Sequence, residues 1–170
     1  MIEEPIGGTA LASAATAAAE ALLSVARASD DASLAQRAEV LRLRVAGTAK
    51  LNAARYPRAL AAREATADLP QKQRDEQIGE AYARAAEPPL ELARISADMT
   101  ELAADIADDA LLGLRSDAVV AGLLAAATAR GAAMLVAINL TALRDDPRVA
   151  EAERYAATAE RAVDRLAALP

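Results

Sequence analysis

The chain contains no cysteine and no histidine. Disulfides, thiolate and imidazole zinc sites, cysteine nucleophiles and Ser-His-Asp triads are therefore excluded. Phe and Trp are also missing, and the aromatics, 2% of the chain, are Tyr56, Tyr82 and Tyr155. β-sheets favour aromatic and branched side chains, so a sheet-based fold is disfavoured. Lysine is scarce: of 19 basic residues only Lys50 and Lys72 are lysines. The net charge is −6 with the basic residues scattered, which is not the footprint of a nucleic-acid binder.

What fills the chain is alanine, at 50 of 170 positions. Alanine has the lowest cost in a helix, and 170 residues suit one domain, so a single all-α domain over 1–170 is expected. The run from Thr9 to Ala26 looks apolar enough for a signal or membrane segment. It follows Glu3 and Glu4, carries Ser13, Thr16 and Glu20, and is mostly weakly apolar alanine. The expectation is a soluble cytoplasmic protein with no membrane partner.

Proline and glycine divide the chain. Pro5 with Gly7-Gly8, Pro57, Pro70, Pro88-Pro89, Gly113 and Pro147 mark ends or breaks. Helices are predicted near 9–28, 31–67 with a kink at Pro57, 71–86, 88–110, 116–140 and 147–168. Leu92, Ile95, Met99, Leu102 and Ile106 recur at three- and four-residue spacing, one apolar helix face. The stretch 117–138 is apolar all round, with Arg130 its only charge after Asp117. That pattern predicts a rod about 33 Å long, buried on every side, with Gly122 and Gly131 as points of close approach. So few large side chains struggle to cover such a rod, and a two-fold homodimer is the expected assembly.

The motifs come in a recognisable order. Pro5-Ile-Gly-Gly-Thr9 precedes the first alanine-rich helix. Glu87-Pro-Pro-Leu-Glu-Leu-Ala-Arg94 opens the fourth, Arg115-Ser-Asp-Ala-Val-Val-Ala-Gly122 opens the fifth, and Arg130-Gly-Ala-Ala and Ala137-Ile-Asn-Leu140 lie further along it. This succession resembles the cyclodeaminase/cyclohydrolase family, which comprises the C-terminal domain of formiminotransferase-cyclodeaminase and stand-alone methenyltetrahydrofolate cyclohydrolases. Such a resemblance implies a multihelical dimer with a folate-binding cleft. It implies one-carbon chemistry on a tetrahydrofolate derivative as substrate: either 5-formiminotetrahydrofolate closes with loss of ammonia, or 5,10-methenyltetrahydrofolate is hydrolysed. Neither reaction needs a metal or redox cofactor, and carboxylates suffice for the proton transfers.

The departures from the family pattern are specific. Its acidic pair ahead of an aromatic falls on Lys50-Leu-Asn-Ala-Ala-Arg-Tyr56, so the acids become Lys50 and Asn52 while Tyr56 keeps the aromatic. Ile6 replaces a family glycine, Thr9 replaces a serine, and the loop before Ser116-Asp117 is shortened to Ala110-Leu-Leu-Gly-Leu-Arg.

Each candidate has a structural alternative. Gly7, Gly8 and Thr9 at a helix start offer amides for a folate carboxylate, or simply an N-cap. Ser116 and Asp117 read as a cap with a dipole-favoured acid, or as the cleft's remaining carboxylate, with Asp117 catalytic. Asn139 either ties down a loop or touches ligand, and Arg130 pairs with an acid or meets a carboxylate. Asp30-Asp31, Asp108-Asp109 and Asp145-Asp146 read as helix caps, since a metal site needs further ligands. Asn52 and Tyr56 complete the ligand-binding candidates. The alternative function is a catalytically lapsed helical dimer that keeps the cleft for a ligand or protein partner.

Overall fold

The computed structural model describes residues 7–29, 31–109, 112–141, 143 and 145–168. Pro5, Ile6, Asp30, Ala110 and Leu111 lie outside the described residues. Six helices and no strand are present among them: α1 (Gly7–Ala28), α2 (Ala32–Ala65), α3 (Gln71–Ala85), α4 (Glu87–Asp109), α5 (Leu112–Asn139) and α6 (Pro147–Ala167). The all-α multihelical fold predicted from composition is the one observed.

Local chemistry sets most of the ends. Asp31 caps α2, accepting from the Ser33 amide at 2.8 Å and the Leu34 amide at 3.3 Å. Asp146 caps α6 and Pro147 sits in its first turn, where its missing N–H costs nothing. The preceding Asp145 takes φ 71°, a left-handed conformation that aspartate tolerates at a corner. Arg148 clamps this corner. Its Nε and Nη2 donate to Asp146 at 2.9 and 2.7 Å, and its Nη1 donates to the Ala83 carbonyl of α3 at 2.8 Å. The guanidinium holds the Asp146 carboxyl down at about 2.

Two predictions about α5 need correction. The helix starts at Leu112, so Gly113 lies inside it, and Ser116 and Asp117 lie in its second turn instead of at its cap. One helical glycine costs about 1 kcal/mol, too little to stop a helix continued by Leu114 and Arg115. Ser116 Oγ donates to the Gly113 carbonyl at 3.2 Å, and Arg115 Nε reaches back to Ala107 O at the end of α4 at 3.1 Å. Nor is α5 buried all round. Its inner face is Ala118, Ala121, Ala125, Ala129, Ala132 and Val136, while Val120, Leu123, Leu124, Met134 and Ile138 are exposed.

α1, α2, α4 and α5 form a ring of four packed helices, α6 covers the far side of the α4–α5 pair, and α3 flanks α2. The core is built from α4's Leu92, Ile95, Met99, Leu102 and Ile106 against alanines and Leu22 of α1 and alanines of α5. By length and composition alone, Gly7–Ala28 and Gly113–Asn139 are long and apolar enough to cross a membrane. In this bundle α1 turns Ala15, Ala18, Ala19, Leu22, Leu23 and Val25 inward, and α5 a mostly alanine face. Arg44 of α2 bridges to Glu91 at 2.9 Å and Asp98 at 3.0 Å on α4, fixing the rotation of those helices. α2 is longer than α1, so its second half projects past the ring. One end of the ring is left open there.

Candidate functional site

At that end lies a cavity of about 250 Å³. It is lined by Gly7, Gly8 and Thr9 at the start of α1, and by Asn52, Ala53, Tyr56, Pro57 and Leu60 of α2. Pro89 of α4 and Leu135, Ile138 and Asn139 of α5 complete it. Six residues singled out in the sequence, Gly7, Gly8, Thr9, Asn52, Tyr56 and Asn139, are thus brought together from three helices. Larger, shallower grooves lie elsewhere, one along Gln71, Lys72, Asp75 and Glu76 of α3, and none gathers these residues.

Each wall has a local cause. The first-turn amides of α1 have no intrahelical acceptors and sit at the positive end of the helix dipole. A Cβ at Gly8 would lie 2.8 Å from Asn52 Nδ2, so the carboxamide rests against the backbone of α1 and would have to turn aside for any larger residue. Pro57 cannot donate to the carbonyl four residues back, that of Ala53, which also lines the cavity. Asn139 Nδ2 donates to Ala85 O at 3.2 Å, tying the end of α5 to α3, and leaves its Oδ1 free to accept. Burial, with a smaller contribution from Tyr82 and opposed by Arg63, pushes the Tyr56 phenol above its ordinary value. Tyr56 is therefore neutral at physiological pH and serves as a hydrogen-bonding group.

The structure does not bring Ser116 and Asp117 to this cavity within one chain. They stand at the other end of α5, 22 residues from Asn139, or about 33 Å at 1.5 Å per residue. Asp117 is exposed. Arg130 pairs with Glu160 of α6 at 3.0 Å on the surface, so it acts as a tie between α5 and α6. Among the described residues no carboxylate lines the cavity; the nearby Glu87 is engaged by Arg55.

Residues 3–158 match a family model described as formiminotransferase-cyclodeaminase. That span is most of the chain. The chain belongs to the formiminotransferase-cyclodeaminase family. A solved structure, formiminotetrahydrofolate cyclodeaminase from Thermotoga maritima, has the same fold, with TM-score 0.78 and 19% identity, covering 96% of this chain and 87% of that one. No curated protein sequence matches.

The sequence reading of this cyclodeaminase-family chain missed several walls. Leu135 and Ile138 counted only as part of the all-round apolar stretch 117–138, Pro89 looked only like a helix start, and Leu60 was not singled out. Thr48 went unnoticed although it precedes Asn52 by four residues and so shares its helix face. With Gly8, Ala12, Ala49, Asn52, Pro88, Pro89, Leu92 and Leu135 it lines a recess of about 10 Å³ beneath the cavity.

Proposed function

We propose that the chain binds a tetrahydrofolate derivative in this cavity and acts on its one-carbon unit. The reaction is closure of 5-formiminotetrahydrofolate with loss of ammonia, or hydrolysis of 5,10-methenyltetrahydrofolate. The observation that carries the reading is the meeting of Gly7, Gly8, Thr9, Asn52, Tyr56 and Asn139 at one opening. Family membership and the shared fold with a formiminotetrahydrofolate cyclodeaminase support it. The α1 amides suit a ligand carboxylate or other anionic oxygen. The Asn139 and Asn52 carboxamides and the Tyr56 hydroxyl suit ring nitrogens and carbonyls, and Leu60, Leu135 and Ile138 suit the flat face of a ring.

A homodimer belongs to this proposal. About 250 Å³ is small beside the roughly 300–1,000 Å³ of typical ligand sites, which suggests a further wall. The exposed Val120, Leu123, Leu124, Met134 and Ile138 form one stripe of α5. If two such stripes pair antiparallel about an axis near Ala127 and Thr128, Asp117 of the partner subunit falls beside Ile138. Asp117 then supplies the carboxylate that one chain lacks at the cavity. A second reading, the lapsed enzyme that binds without turnover, is favoured by the substitution of Asn52 for an acid, since an amide cannot exchange a proton near neutral pH.

Light scattering should return about twice 17.5 kDa, and tetrahydrofolate derivatives should raise the melting temperature. Turnover, followed by methenyltetrahydrofolate absorbance, should fall about 10²–10⁴-fold in Asp117→Asn with ligand binding retained. Binding without turnover in the wild type selects the lapsed reading. No thermal shift with any folate overturns the folate reading and leaves the lapsed dimer, which keeps the cleft for another ligand or a protein partner. A monomer removes Asp117 from the site.

A further inference from the structure

The recess beneath the cavity carries a second feature. Thr48 is 5% exposed, yet its hydroxyl has no hydrogen-bond partner among the described residues. Three other helical threonines, Thr16, Thr100 and Thr128, instead donate to the carbonyl four residues back, at 2.8 Å. A hydroxyl on a largely buried residue that bonds to no protein group is satisfied by solvent that reaches it, here through the recess. Thr48 Oγ1 and the Asn52 carboxamide are the polar side-chain groups of the recess; Ala12, Ala49, Pro88, Pro89, Leu92 and Leu135 are its apolar walls. About 10 Å³ is room for one water and nothing larger.

We propose that this recess holds a single water between the Thr48 hydroxyl and the Asn52 carboxamide, directly under the ligand cavity, and that this water is the one added to the one-carbon unit. The second half of the statement rests on the folate reading above. In the hydrolysis, the water oxygen bonds to the bridging carbon of the methenyl cation and one carbon–nitrogen bond breaks. One water proton goes to the freed ring nitrogen and the other to solvent. Neither Thr48 nor Asn52 takes up a proton. They hold the oxygen in line with the carbon, and the apolar walls keep other waters out.

The test uses the full chain with Thr48→Val, which replaces the hydroxyl by a methyl at constant shape, and Thr48→Ser, which keeps it. Crystals of the unliganded protein at a resolution that shows ordered solvent should have a water within hydrogen-bond distance of Oγ1 in the wild type and Thr48→Ser. It should be missing in Thr48→Val. Hydrolysis of 5,10-methenyltetrahydrofolate should lose roughly tenfold in kcat in Thr48→Val with KM unchanged, and recover in Thr48→Ser. An empty recess in the wild type, or wild-type kcat in Thr48→Val, overturns the proposal. A water that is present and lost in Thr48→Val, in a protein that binds no folate, upholds the recess and sinks only the folate reading.

Discussion

α4 and α5 lie against each other along much of their length and distribute their side chains in opposite ways. α4 buries its large residues: Ile95, Met99, Leu102 and Ile106 are each at most 1% exposed. α5 buries small ones and turns the large ones out, with Met134 60% and Ile138 62% exposed. Hydrophobicity alone would place α5's leucines inward. Space decides otherwise, because α5 is enclosed by α1, α4 and α6, and the face it turns to them is mostly alanine, with Thr128 and Val136 its larger members. A helix pressed from three sides keeps its small face for its own chain. Its large face is left for something else.

The sharpest way to break this comparison is to trim the two helices in turn. Ile95→Ala, at a fully buried position, should cost about 2–5 kcal/mol in chemical denaturation. A loss under 1 kcal/mol would show that α4 does not carry the core.

Gly122→Leu should come next, at about 1–3 kcal/mol. An added Cβ already lies 2.6 Å from Leu166 Cδ1, a tip that can turn aside, and 3.0 Å from Ala103 Cβ, which cannot, so α4 must give way. Gly131 makes the contrast: its Cβ would meet only the tip of Leu11, which can move. Equal melting temperatures for Gly122→Leu and wild type would mean that the inner face of α5 has room to spare.

The smallest effect on the single chain belongs to Met134→Gln, below about 0.5 kcal/mol, as for other exposed positions. If the outer stripe joins two copies, this variant should instead weaken assembly, seen as a fall in scattering mass on dilution. An unchanged dimer would place the seam elsewhere.

Parts of the site were visible in advance for a local reason. Gly7, Gly8, Asn52, Tyr56 and Asn139 occur in motifs whose residue types can be compared one by one, and the fold brings them together because α1 and α2 run antiparallel. Thr48 was not visible. A threonine within an alanine-rich helix normally bonds to its own backbone, and only the structure shows this one without that bond. Asp117 shows the reverse: its motif looked like part of the same cleft, yet 28 residues of continuous helix α5 hold it at the far end.

The sequence by itself determined that the chain is helical, most of the helix ends, and the caps of α2 and α6. Asp31, Pro147, Asp146 and the spacing of α4's apolar residues act within a turn or two of helix. Tertiary structure alone decided which face of α5 points inward and which end of the bundle opens as a cavity. The first depends on the room left by Leu11, Ala103 and Leu166, and the second on how α1, α2, α4 and α5 meet at one end, all of it between residues remote in sequence. An all-round apolar pattern says nothing about rotation around the helix axis, and only the size of the neighbours could set it.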